Sequence, residues 1–370
     1  MKKLLLCVFV FLMAAFSISL AEPVDSYTET AIVIGVDDIE DSSDEMSGVE
    51  QIQTVQLKIT SGKYKNEVFE VHNNLSGSFV YDIPVKVGDK IVVVVDELEN
   101  GDIDVFVADY MRQDYILYLY LIFVILLLLI GRIKGLKSVI SLTVTIFAVL
   151  KILLPLILSG VNPVPVTVFV SIGITVITLF IIAGVNSKSI AAIIGTTTGV
   201  IVAGLLAYYI GSKIKLTGLS SEEATMLLYI PQEVNFDFKG LLFSGIIMGA
   251  LGAVMDIGMS IASAMDEIYR ANPKLHRKEL FMAGMNVGRD VMGTMTNTLI
   301  LAYTGSSIPL LLIFMAYETS LVKILNLDII ATEVVRALSG STGLILTIPI
   351  TAAVSSVLLI REAAKKEKKQ

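Results

Sequence analysis

The chain has 370 residues, of which 54% are hydrophobic and 17% charged, and a net charge of −7. That composition is too apolar for a water-soluble protein of this length, so the bilayer is the expected solvent. Residues 22–113 hold 20 acidic and 6 basic side chains, and residues 114–370 hold 15 and 20, with the basic ones spread among short loops; this excludes the concentrated basic surface of a nucleic-acid binder.

Lys2 and Lys3, the apolar run Leu4–Ile18 and the small-x-small site Ser19-Leu20-Ala21 predict a signal peptide over 1–21, either cleaved before Glu22 or kept as an anchor. In both cases residue 22 lies outside the cytoplasm. The only cysteine, Cys7, falls within the leader, so the mature chain has no thiol for disulfides or catalysis.

Residues 22–113 read as a small extracytoplasmic all-β domain. Alternating runs at Val55–Ile59, Glu67–Val71, Lys90–Val95 and Asp102–Val107 are separated by turn signals at Ser61-Gly62, Asn73-Asn74, Ser76-Gly77, Gly88-Asp89 and Asn100-Gly101. Five or six short strands make a small barrel or sandwich the economical fold. Asp37–Gly48 is acidic, has few apolar residues and reads as a solvated loop.

Residues 114–360 read as an all-α membrane bundle of about seven spans, near 114–131, 138–158, 164–184, 189–211, 240–265, 294–317 and 340–360. The segments this assignment places inside hold 14 basic residues against five outside, which agrees with the positive-inside bias and leaves the basic tail 361–370 in the cytoplasm. The expected location is therefore the plasma membrane, with the β domain outside. Gly305-Ser306-Ser307-Ile308-Pro309 is read as a kink within the sixth span, because a turn there would put the tail outside. Glu222–Ile230 and Glu318–Leu338 are too polar to cross and are expected on the outer face, whereas Arg277–Gly293 is expected as a separate amphipathic stretch inside.

Polar groups at membrane depth carry the functional signal, because each needs a partner or a purpose. In the fifth span, Gly245, Gly249 and Ala253 predict a face for close helix packing. Asp256 follows near the midplane, with no lysine or arginine one turn away. A carboxylate buried there without a cation is suited to exchanging protons; the structural alternative is a neutral Asp hydrogen-bonded to a neighbouring Ser or Thr. Asp266 or Glu267 is expected to answer Arg289, while Asp290 needs a partner of its own. Thr294, Thr296, Asn297 and Thr298 open the sixth span and are expected to face Asp256 as a polar seam. Lys151 is expected to snorkel or pair, and Thr196–Thr198 between Gly195 and Gly199 to mark close helix packing.

The sequence contains no HExxH, Walker loop or serine elbow, and its two histidines fall on opposite sides of the membrane. The expectation is a non-enzyme with no cofactor, no metal and no catalytic residues.

Met248–Ile268 (MGALGAVMDIGMSIASAMDEI), Asn272–Ser307 (NPKLHRKELFMAGMNVGRDVMGTMTNTLILAYTGSS), Ile308–Leu312, KVGDKIVV from Lys86 and VADYMR from Val107 closely resemble the YibE/F-like family of bacterial membrane proteins. The resemblance implies the multi-pass architecture more than an activity. The order of an Asp-bearing glycine-rich span, an amphipathic segment, a Thr/Asn-opened span and a final small-residue span is similar to SecD/SecF and resistance-nodulation export units. That analogy gives Asp256 a proton-coupling role.

The sequence thus supports a secondary transporter or export-assisting permease, coupled to protons or cations through Asp256, Asp266, Arg289, Asp290, Thr294, Thr296 and Asn297. The second reading is a non-transporting assembly or sensory scaffold whose β domain binds an envelope protein. Beyond the lipid bilayer, the expected partners are the coupling ion and either that protein or another copy of the chain.

Overall fold

The computed structural model describes residues 26–37, 40–41, 49–78, 80–98, 102–230, 235–318 and 320–367. The signal peptide, most of the acidic 37–48 loop, the Asn100-Gly101 turn and the last three residues of the tail lie outside the described residues. The chain forms two compact units, Met1–Leu129 and Ile130–Gln370.

The first unit holds β1 (Ser26–Val36), β2 (Glu40–Asp41), β3 (Gln51–Ile59), β4 (Val68–Leu75), β5 (Lys90–Glu97) and β6 (Ile103–Tyr110). All pairings are antiparallel, and the five long strands lie in the order β4-β3-β1-β5-β6. The outer strands β4 and β6 approach each other, so the sheet curls into a nearly closed barrel, of OB-type connectivity, and not a sandwich. Every second residue points inward. Ala31, Val33, Val55, Leu57, Ile91 and Val93 are buried, and β-branched side chains suit that pleated interior. A register shift between Val33 and Gly35 bends β1.

Two amides seal the barrel. The buried Gln53 donates to Val85 O (2.9 Å) and accepts from Val85 N (3.0 Å), while Asn73 donates to Gln53 Oε1 (3.2 Å) and Ile83 O (2.9 Å). Gln53 thereby satisfies both backbone groups of a residue that has no strand partner.

Helix α1 (Gln113–Ala148) begins in the first unit and runs through a π-helical stretch, Val149–Leu153, into α2 (Leu154–Leu158). Then come α3 (Pro163–Ala183), α4 (Ser187–Lys213), α5 (Glu222–Met226), α6 (Phe238–Ala271), α7 (Arg277–Ser306), α8 (Ile308–Ala316), α9 (Leu321–Leu325) and α10 (Asp328–Glu367). Local chemistry sets the starts. Asn162 accepts from Val164 N with Pro163 in the first turn, Asn186 and Ser189 form a capping box, and Asp237 accepts from Gly240 N.

Among the described residues, five helices are long and apolar enough to cross a membrane, or six if the bent pair α7–α8 counts as one span. The stretch Gln113–Leu158 has 46 residues, about 69 Å of helix against a hydrocarbon core of about 30 Å. It is interrupted at Arg132, whose φ of 48° and ψ of −123° are not helical.

Two sequence expectations are corrected. Arg277–Gly293 is no separate amphipathic stretch: α7 continues through it to Ser306, because its polar positions occupy one side while Leu280, Gly284 and Gly288 pack on the other. Asp328–Leu338 likewise belongs to α10, which continues through Gly340 and Gly343. Those glycines serve close packing and do not break the helix. The bend of 61° between α7 and α8 falls at Ser307, just before Pro309.

The closest packing in the second unit joins α4 to α10. A Cβ on Gly195 or Gly199 would lie 1.9 Å from the hydroxyl of Thr351 or Thr347, respectively, so both glycines are required where the sequence marked tight packing.

Candidate functional site on helix α6

Helix α6 is amphipathic in an unusual sense. One face, with Phe243, Ile247, Ala250, Val254, Ile257 and Ile261, is buried in the bundle core. The opposite face presents Gly245, Gly249, Gly252, Asp256 and Ser260, all exposed. These residues recur at the helical spacing of three and four, so they form one continuous stripe.

The stripe differs from expectation in its surroundings. Gly245, Gly249 and Ala253 were expected to admit a neighbouring helix, yet a Cβ on Gly245 would meet nothing within 4 Å, and the same is true of Gly252. The packed glycine of this helix is Gly258, where a Cβ would lie 2.8 Å from Thr196 Oγ1. Asp256 is on the uncovered face and has no ion pair among the described residues. Tyr303 reaches over the stripe, placing its hydroxyl 2.7 Å from where a Cβ of Gly249 would be.

Helix α7 runs antiparallel beside α6. Met265 meets Gly284 and Ile261 meets Gly288, and each step back along α6 matches one step forward along α7. Asp256 is therefore level with Gly293, with Arg289 and Asn297 one turn away on either side. The expected polar seam is present in sequence but does not close on Asp256. Thr294 and Thr298 donate to their own helix carbonyls, at Val291 and Thr294 (both 2.9 Å). Asp290 and Asn297 are exposed, as is Gly293, whose Cβ would also meet open space. Thr296 Oγ1 is buried without a hydrogen-bond partner among the described residues.

Arg289 is not answered by Asp266. Among the described residues its guanidinium donates to no carboxylate, neither Asp266 nor Glu267, and donates to Asn286 Oδ1 (3.2 Å). Asp266 instead sits at the far end of α6, paired with Arg270 (3.0 Å) one turn along and with Lys188 of α4 (3.9 Å). Beside them Ser187 donates to Glu362 of α10 (2.5 Å), and these groups line a cavity of about 540 Å³. The reason is distance: in this register Asp266 is level with Ala283, six residues or about 9 Å short of Arg289, and it lies ten residues, about 15 Å, along α6 from Asp256. Geometry thus divides the sequence-predicted residues into a central group (Asp256, Arg289, Asp290, Thr294, Thr296, Asn297) and the terminal Asp266.

Sequence reasoning missed one charged pair. Glu333 and Arg336 of α10 form a half-buried ion pair (3.1 Å), and the guanidinium lies over the Tyr303 ring, 5.9 Å from its centroid. Both line a cavity of about 510 Å³ together with Gly245. An i, i+3 acid–base pair in an apolar helix was the available signal. Among the described residues, no three or more His, Cys, Asp or Glu side chains converge to hold a metal ion.

The family model described as YibE/F-like protein matches residues 119–361, and the model described as YibE/F family N-terminal domain matches residues 26–110. Comparison with curated proteins and with solved structures gives no match.

Proposed function

The chain belongs to the YibE/F-like family, and we propose that it is a secondary transporter or export-assisting permease of the plasma membrane, coupled to protons or cations through Asp256. The observation that carries this reading is the Asp256 carboxylate, without an ion pair among the described residues, at the middle of the 34-residue helix α6 and on a face of glycine and serine. A charge at such depth costs about 3 kcal/mol on insertion scales, so the carboxylate calls for a proton, an ion or a counter-charge that the described residues of a single chain do not supply. The stripe leaves room for water or an ion beside the carboxylate, and Tyr303, Thr296 and Asn297 supply further polar groups on the neighbouring helix. In this reading Arg289 and Asp290 stand at the inner side of the path and Asp266 holds the end of α6. The role is transport and not catalysis, with the β domain outside and the C-terminus in the cytoplasm.

The test is reconstitution into vesicles containing a pH-sensitive dye. An imposed pH gradient should decay through the wild-type protein, and Asp256→Asn should abolish that decay while remaining folded; decay unchanged in the variant would overturn the coupling role.

A second reading, an assembly or sensory scaffold, is favoured by the exposed apolar residues Val80, Tyr81 and Val87 on the connection between β4 and β5. Removal of residues 22–110 discriminates: a transporter should retain flux, whereas a binding module should lose its activity.

A further inference from the structure

In this bundle many, but not all, helical glycines mark a close approach. At Gly195, Gly199, Gly211, Gly284 and Gly288 an added Cβ would come within 3 Å of a neighbouring element. At Gly131, Gly173, Gly245, Gly252, Gly293 and Gly305 an added Cβ would meet nothing within 4 Å, and of these Gly252 of α6 and Gly293 of α7 are singled out by what lies beside them. Both belong to faces that also carry uncovered ionic groups. Asp256 follows Gly252 by one turn and has no ion pair among the described residues, and Arg289 precedes Gly293 by one turn with only Asn286 for a partner. Hydrocarbon tolerates neither group alone.

The two faces are complementary in charge and matched in depth. A two-fold axis along the membrane normal keeps every residue at its own depth, and Asp256 is level with Gly293. Such an axis would set Asp256 of one copy opposite Gly293 of the other, with the partner's Arg289 one turn, about 6 Å, away. That offset is within reach of an arginine side chain. The glycines let the backbones approach, and the ion pair forms out of lipid.

We propose that the Asp256 site is completed by a second copy of the chain, which lays the Gly293 face of its α7 against the Gly252 face of α6 and supplies Arg289 to Asp256. This deepens the coupling role assigned above, because the counter-ion of the titrating group then comes from the neighbouring subunit.

The test uses full-length chains in native membranes, with Cys7 replaced by serine. Two differently tagged chains are co-expressed, one carrying Gly252→Cys and the other Asn297→Cys or Gly293→Cys. Mild oxidation should join the two tags, since the side chain at 252 points to open space and disturbs nothing within its own chain. Failure of both pairings, or capture of position 252 by a cysteine placed on α1 of the same chain, would overturn the proposal. In the second arm, Asp256→Arg and Arg289→Asp each place like charges across the interface when expressed alone, whereas the mixed pair restores both contacts. Dimer recovery by tag pull-down should rise at least about tenfold in the mixture, a difference of about 1.4 kcal/mol; no gain over either chain alone would overturn the proposal. Neither arm measures flux, so loss of the coupling role and loss of the interface are separate results.

Discussion

Gly199 and Gly343 bring α4 and α10 into backbone contact: a Cβ on Gly343 would lie 2.5 Å from the carbonyl oxygen of Gly199. A methyl group there must push two helices apart against a close-packed interior. Gly343→Ala is expected to destabilise the protein by about 1–3 kcal/mol, the usual cost of overpacking. Gly173, with nothing within 4 Å of its Cβ, is the control, and Gly173→Ala should be neutral or slightly stabilising. Thermal unfolding in detergent checks the ordering.

Asp266 tests burial against distance. Arg270 makes the shorter contact, but its side chain is 69% exposed and on the same helix, whereas Lys188 is 23% exposed and on another helix. Exposed i, i+4 pairs contribute about 0.3–0.5 kcal/mol. A double-mutant cycle should therefore give a coupling of that size for Asp266 with Arg270, and a larger one, about 1 kcal/mol or more, for Asp266 with Lys188.

Gln53 should be essential to the barrel. Gln53→Leu leaves the N–H and C=O of Val85 without partners in a dry interior, at a cost of about 1–3 kcal/mol. Gln53→Glu should be worse, because a carboxylate cannot donate to Val85 O and brings a charge into the core. Urea unfolding followed by tyrosine near-ultraviolet circular dichroism provides the measurement.

The β domain should lose stability in acid. Hydrogen bonds from Lys63 and then Tyr64 hold the Glu97 carboxyl below its ordinary range, the amide of Ser76 does so for Asp82, and Arg112 for Asp109. Each folded value lies below the unfolded one, so the stabilisation is present above about pH 5 and is lost as pH falls through the folded values. Lys63 behaves oppositely: Glu97 raises it, so its share is full below the ordinary lysine range and is lost only in strong alkali. None of the three carboxylates is buried, which keeps the effect small. Glu97→Gln should flatten the acid limb of the same tyrosine signal; an unchanged limb would assign it to Asp82 and Asp109.

Much of this was legible in the sequence where a single physical signal dominated. The runs at 55–59 and 90–95 alternate cleanly and became β3 and β5, and the long apolar stretches became the helices of the bundle. Strand β1 was not singled out because its alternation is interrupted twice: Glu29 points inward, accepting from the amide of Lys63 (2.6 Å), and the shift at Val33–Gly35 breaks the period. The starts of α7 and α10 were hidden because charged side chains can occupy one side of a continuing helix without ending it. Asp256 was visible by its chemistry, but the direction it faces was not. Spacing shows which residues share a helical face, and only the neighbours decide whether that face is covered.

Helix α10 has 40 residues, about 60 Å of axis, and is fastened near both extremes. Asp328 accepts from Thr217 (2.6 Å), and Glu362 accepts from Ser187 (2.5 Å). Between them Pro349 lies inside the helix, where a proline removes one backbone hydrogen bond. The two contacts, about 50 Å apart along α10, fall at the first residue of α4 and just beyond its last, so α10 straps α4 antiparallel along its whole length.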